Sequence, residues 1–173
     1  MKKIIAILLS LLLFGAVGCA SGGDPSGEEP SDKDTFPNAY AQQAYEQLSL
    51  MDTYFREDGG MLSENSASGG TATLWTYGAY FTAVAKYLKV CPENKSAAAL
   101  ADTALEELEW YKCEGKDAYA SDNGKERPVF FDDNAWLVYG LLEMYAGGKD
   151  EALLDKREQV EACIYSGWQE DLG

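Results

Sequence analysis

Two adjacent carboxylates, Asp132 and Asp133, are the residues of this sequence best suited to chemistry. They follow Phe130 and Phe131 and open a predicted helix over residues 133–146. One interpretation is helix capping, since Asp is favoured at the N-cap and in the first turn. The other is a general acid beside a nucleophile, the pair of carboxyl groups that glycoside hydrolysis requires. Neighbouring like charges and the helix N-terminus can separate the two pKa values, so adjacent residues can take the two roles.

The sequence has no histidine, which limits the catalytic mechanisms and metal sites that are possible. Its absence excludes histidine bases, Ser-His-Asp and Cys-His catalysis, and histidine-ligated metals. Cys91, Cys113 and Cys163 lack CxxC spacing, which argues against a zinc site. Cys91 and Cys113 lie at opposite ends of one predicted helix, too far apart for a disulfide. We expect all three to be free or buried thiols.

The carboxylates must be positioned by helices, because apolar residues recur at helical spacing from Phe36 onward. The pattern predicts five helices, at about 36–57, 73–89, 95–112, 133–146 and 151–165. If neighbouring helices are antiparallel, the long connections 58–72 and 113–132 lie at the same end, and long loops in compact domains are usually functional. The second and fourth helices carry aromatic or small residues on several sides, which predicts that both are buried all round.

Two segments resemble a known family. Residues 74–81 read Leu-Trp-Thr-Tyr-Gly-Ala-Tyr-Phe, and residues 131–137 read Phe-Asp-Asp-Asn-Ala-Trp-Leu. Together they resemble glycoside hydrolase family 76, the endo-α-1,6-mannanases, whose signature is an Asp-Asp pair that opens an inner helix and is followed by Ala-Trp. The resemblance covers about residues 40–173 and implies an all-α fold, an (α/α)6 toroid of twelve helices. Only five are predicted, so we expect an incomplete toroid, the N-terminal portion of such a domain over 36–173.

The resemblance also implies roles for particular residues. Asp132 would be the nucleophile and Asp133 the general acid/base of a retaining reaction, with no metal or organic cofactor. Trp75, Trp136 and Trp168 would bind the polysaccharide, an α-mannan, by stacking on sugar rings. For a Trp at a helix start, a place in the core is the alternative. Because the twelve-helix ring is incomplete, we expect the chain as given to be a fragment of a longer enzyme, which could be inactive on its own.

The N-terminus has the layout of an export signal. Residues 1–18 combine a positive start, an apolar run and small residues, and Cys19 follows directly. This resembles the signal peptide and lipobox of bacterial lipoproteins, which implies lipidation of Cys19 and a membrane anchor at the cell surface or in the periplasm. Residues 19–35 are predicted to be a flexible linker. The formal charge of −15 argues against nucleic acid as a partner.

Two other functions fit the same residues. A non-catalytic, lipid-anchored glycan-binding protein would use the aromatic face without the carboxylates. A helical-repeat interaction module would use the Asp pair only to stabilise a helix start. Toroid epimerases and isomerases rely on histidine, which this chain lacks.

Overall fold

A computed structural model describes residues 36–56, 60–67, 70–122 and 128–167 of the chain. The predicted signal peptide, Cys19 and the linker lie outside the described residues, and so does Trp168. Within the described segments no helix combines the length and the apolar character that a membrane span requires.

The described residues form five α-helices, as the periodicity predicts, and no β-strand longer than isolated bridges. The fold is therefore all-α. The helices are α1 Ala39–Phe55, α2 Leu74–Val90, α3 Lys95–Leu108, α4 Phe131–Gly148 and α5 Ala152–Ser166. A short 3-10 helix, Glu109–Tyr111, extends α3. The first three helices begin at polar N-caps, Asn38, Thr73 and Asn94, whose side chains accept backbone N–H groups of the first turn.

The centre of the fold is a close contact between α2 and α4, which lie parallel. Residue numbers rise together along the contact: Gly78 lies against Trp136, Phe81 against Gly140, and Leu88 against Gly147. Each of these two helices also packs against the helix that follows it, α3 or α5. Both pairs are antiparallel: the Tyr77 hydroxyl near the start of α2 donates to the Ala104 carbonyl near the end of α3, and Gly167 after α5 lies against Phe131 at the start of α4. Parallel α2 and α4 place both helix starts, and both long loops, at one end. The sequence predicts the same placement of the two long loops. A hydrogen bond connects this end of the fold: the Leu74 N–H, at the start of α2, donates to the Ser121 carbonyl of the second long loop at 2.8 Å.

Helices α2 and α4 can approach closely at Gly147 because glycine has no Cβ. A Cβ added there would lie 2.8 Å from the backbone nitrogen of Lys89 and 3.0 Å from the carbonyl carbon of Leu88. At Gly148 the nearest atom would be a Leu88 methyl at 3.6 Å, an ordinary contact. Backbone atoms cannot move aside as the end of a side chain can, so α2 and α4 would have to separate.

We therefore expect Gly147→Ala to lower the free energy of unfolding by about 1–3 kcal/mol. The matched control, Gly148→Ala, should leave it unchanged or raise it by up to about 1 kcal/mol, since Gly148 is the last helical residue of α4 and alanine favours helical backbone over glycine. Urea unfolding followed by circular dichroism measures both. Equal effects of the two substitutions would show that the helices are not packed backbone to backbone at Gly147.

The two central helices differ in burial, although both were predicted to be buried on all sides. Residues of α2 are mostly buried on every side, as predicted. The prediction for the fourth helix is wrong, because α4 leaves Trp136, Tyr139 and Leu142 exposed along one face. Between its two ends, α2 is covered by described residues of α1, α3 and α4.

Candidate active site

The two carboxylates occupy the first turn of α4 but differ in environment. Asp132 is exposed, whereas Asp133 retains only 7% of its accessible surface. Successive helical residues point about 100° apart, so one side chain turns to solvent and the other turns inward. Helix α4 begins two residues earlier than predicted, at Phe131, and its N-cap is Phe130, which makes no side-chain cap bond. Neither Asp is therefore the N-cap. Of the capping interpretation, only the favourable interaction of first-turn carboxylates with the helix dipole still applies.

Burial raises the pKa of Asp133 above its usual range, and the negative charge of Asp132 beside it raises that pKa further. Among the described residues no Lys or Arg forms an ion pair with either carboxylate. The site thus places a buried carboxyl with a raised pKa next to one in contact with water. A raised pKa in one carboxyl of the pair is what the general acid of a glycosidase requires.

The raised pKa has a consequence for stability. An acid whose pKa is higher in the folded state costs stability when it ionises, so the free energy of unfolding falls as pH rises through that pKa. We expect Asp133→Asn, which cannot ionise, to be more stable relative to the wild type at pH 7 than at pH 3. The gain should be smaller for Asp132→Asn, whose side chain is exposed and so has no burial cost to relieve. Urea unfolding at the two pH values is the measurement, and a pH-independent effect of Asp133→Asn would contradict the expectation.

An exposed row of aromatic rings begins close to the carboxylates. Trp75, at the start of α2, and Trp136, one turn after Asp132, retain 53% and 44% of their accessible surface. Their ring centroids lie 6.1 Å apart in an edge-to-face arrangement. Tyr139 extends the row, with its centroid 6.3 Å from that of Trp136, and the Lys86 ammonium lies 5.3 Å from the Tyr139 centroid. Neither Trp is a core residue, so the core alternative for Trp75 does not hold.

Asn134, directly after the pair, ties the second long loop to α4. It is fully buried, and its Oδ1 accepts the Tyr119 N–H at 2.9 Å. Its Nδ2 donates to the carbonyls of Tyr119, at 2.9 Å, and Phe130, at 2.8 Å. These three hydrogen bonds of the Asn134 side chain hold the loop beside the carboxylates. Asn134 was not predicted as a site residue, although it belongs to the 131–137 motif.

Two glutamates that the sequence did not single out order the first long loop. Buried Glu107 accepts the Leu62 N–H at 2.7 Å and pairs with Arg56 at 2.5 Å. Glu64 accepts the Thr73 N–H at 2.8 Å and the Thr76 hydroxyl at 3.0 Å, at the start of α2 next to Trp75. The described parts of this loop are therefore fixed to the helices, which positions a third carboxylate, Glu64, at the start of α2.

Within the described segments no group of three or more Cys, Asp or Glu side chains is suited to hold a metal ion. The roles of Cys19 and Trp168 remain predictions, since both residues lie outside the described part of the chain. Comparison with known proteins adds no assignment, since no protein-family model matches the chain and no curated protein is found to be similar to it.

Proposed function

We propose that the chain belongs to a glycoside hydrolase that cleaves α-1,6-mannan with retention of configuration. The observation that carries the proposal is the division of Asp132 and Asp133 into an exposed and a buried carboxyl beside the exposed Trp75–Trp136 pair. The resemblance of residues 74–81 and 131–137 to glycoside hydrolase family 76 supplies the substrate class.

In the proposed reaction Asp133 donates its proton to the glycosidic oxygen while ionised Asp132 attacks the anomeric carbon. The leaving sugar departs as an alcohol, and the remaining glycosyl group is bonded to Asp132 as an ester. Asp133, now ionised, takes a proton from water, which attacks the anomeric carbon and releases Asp132. Trp75 and Trp136 provide apolar ring faces on which sugars can stack.

We also propose that residues 36–173 form the N-terminal portion of an (α/α)6 toroid. Parallel α2 and α4, each followed by an antiparallel helix, are consistent with inner helices of such a ring and with the outer helices that cover them. The exposed aromatic face of α4 would then face the interior of the ring. A lipid on Cys19 would hold the domain at the membrane, in the periplasm or at the cell surface, where polymers too large for import are met.

A second candidate is a non-catalytic glycan-binding lipoprotein. It is favoured by the exposure of the Trp75–Trp136 pair, which could bind sugars whether or not the carboxylates react.

One experiment separates the candidates. The protein, expressed from its natural gene, is incubated with α-1,6-mannan and, as a control, an α-1,4-glucan, and both reducing-end release and binding are measured. We expect mannan-specific release that is abolished by Asp132→Asn with Asp133→Asn, and binding that is weakened by Trp75→Ala with Trp136→Ala. Undiminished release by the double Asn variant would overturn the hydrolase. Binding without release would favour the glycan-binding protein, and the absence of both would favour an interaction module.

A further inference from the structure

A cavity of about 770 Å³ lies next to the carboxylate site but does not include it. It is formed between the segment that follows α3 and the outer side of α5. Its walls include both half-buried cysteines, Cys113 and Cys163, together with Lys116, Gln159 and Phe131. Phe131 directly precedes Asp132, so one wall of the cavity leads into the turn that bears the carboxylates.

The two cysteines face this cavity from separate elements, each held in place. The Cys113 N–H donates to the Ala118 carbonyl at 2.9 Å, in a turn stabilised by the bridge between Lys112 and Tyr119. Cys163 lies in the last turn of α5, where its carbonyl accepts the Ser166 hydroxyl at 2.6 Å. Both side chains are uncrosslinked thiols.

Cys113 and Cys163 line the same cavity, and Cys163 acts on the pKa of the Cys113 thiol. Burial raises the pKa of Cys113, Lys116 lowers it, and Cys163 raises it again. Cys91 offers a contrast, since it is buried at the far end of α2 and does not line the cavity.

We propose that Cys113 and Cys163 are a redox-active dithiol site that forms a disulfide across this cavity by exchange with a low-molecular-weight disulfide. The thiolate of one cysteine attacks the donor's disulfide, forms a mixed disulfide and releases one donor thiol. The second thiolate then attacks the protein sulfur of that mixed disulfide and releases the other donor thiol. Two protein thiols are oxidised and one donor disulfide is reduced to two thiols.

The bond would join the loop that Asn134 holds to the helix that packs on α4. It would enclose about 50 residues and so restrict the unfolded chain considerably. Conditions outside the cytoplasm, where the predicted signal peptide would direct the chain, favour such bonds. The inference does not depend on the proposed hydrolase activity, because it rests on the two thiols and their cavity alone.

The test is to equilibrate the full chain with oxidised glutathione, block the remaining thiols by alkylation and identify linked peptides by mass spectrometry. We expect an intramolecular Cys113–Cys163 link, with the Cys91 thiol alkylated only after unfolding. The midpoint of urea unfolding should rise on oxidation of the wild type and of Cys91→Ser, but not of Cys113→Ser. The proposal is overturned if both thiols end as separate glutathione adducts, remain reduced, or pair with Cys91 or with a second copy of the chain. The peptide map of the wild type decides the outcome even if a variant fails to fold.

Discussion

Asp133→Asn is expected to lower kcat/KM on α-1,6-mannan by about 10²- to 10⁴-fold, because the leaving oxygen then receives no proton. The loss should nearly vanish on a mannan oligosaccharide whose leaving group is dinitrophenolate, which departs without protonation. Asp132→Asn should instead lose activity on both substrates, on the order of 10⁴-fold or more, because no covalent intermediate can form. Steady-state kinetics with the two substrates measures this difference between the variants.

The control for these variants is Asp102→Asn, the same substitution at an exposed position on α3. It should leave kcat/KM unchanged on both substrates. The assigned roles are reversed if Asp132→Asn, and not Asp133→Asn, is rescued by the activated leaving group. If neither variant differs from Asp102→Asn, the carboxylates have only a structural role.

Asn134→Asp is expected to have the largest effect on stability. The substitution keeps the side chain's shape but replaces the donor Nδ2 with an oxygen that faces the carbonyls of Tyr119 and Phe130. It also adds a fully buried negative charge directly after Asp133. Burying an unpaired charge and losing two hydrogen bonds should lower the free energy of unfolding by more than about 3 kcal/mol.

The matched control is Asn38→Asp, at the exposed N-cap of α1, where the side chain accepts the Ala41 N–H at 2.9 Å. Asp and Asn are similar N-caps, so stability should change by less than about 0.5 kcal/mol. Urea unfolding at pH 7 compares the two variants. Similar small effects at both positions would mean that Asn134 does not hold the loop against α4.

The helices were predictable because each carries apolar residues at helical spacing and three begin at an Asn or Thr. The start of α4 was less predictable. Asp is the usual cap, so the pattern placed the start at Asp133. In the structure the chain turns at Phe130, whose carbonyl is held by Asn134 from within the first turn of the helix.

Other features of the site depend on contacts between distant parts of the chain. Asn134 pairs with Tyr119, and Glu107 pairs with Arg56 and Leu62. Nothing in the spacing of these residues identifies their partners. Nor does any sequence pattern place Cys113 and Cys163 on one cavity. The residue pattern of α4 predicted burial on all sides, because an aromatic residue in a helix is more often a core residue. Only the family resemblance pointed to Trp136 as a residue that contacts sugar.

Trapping the glycosyl intermediate is the decisive test of Asp132 as the nucleophile of a two-carboxylate site. The protein is incubated with a fluorinated mannosyl fluoride, which forms the glycosyl-enzyme and slows its hydrolysis, and the digested protein is analysed by mass spectrometry. We expect one fluoromannosyl group per chain, bonded to Asp132. An adduct on Asp133 or Glu64 instead, or turnover of mannan to an inverted product with no adduct, would contradict this role.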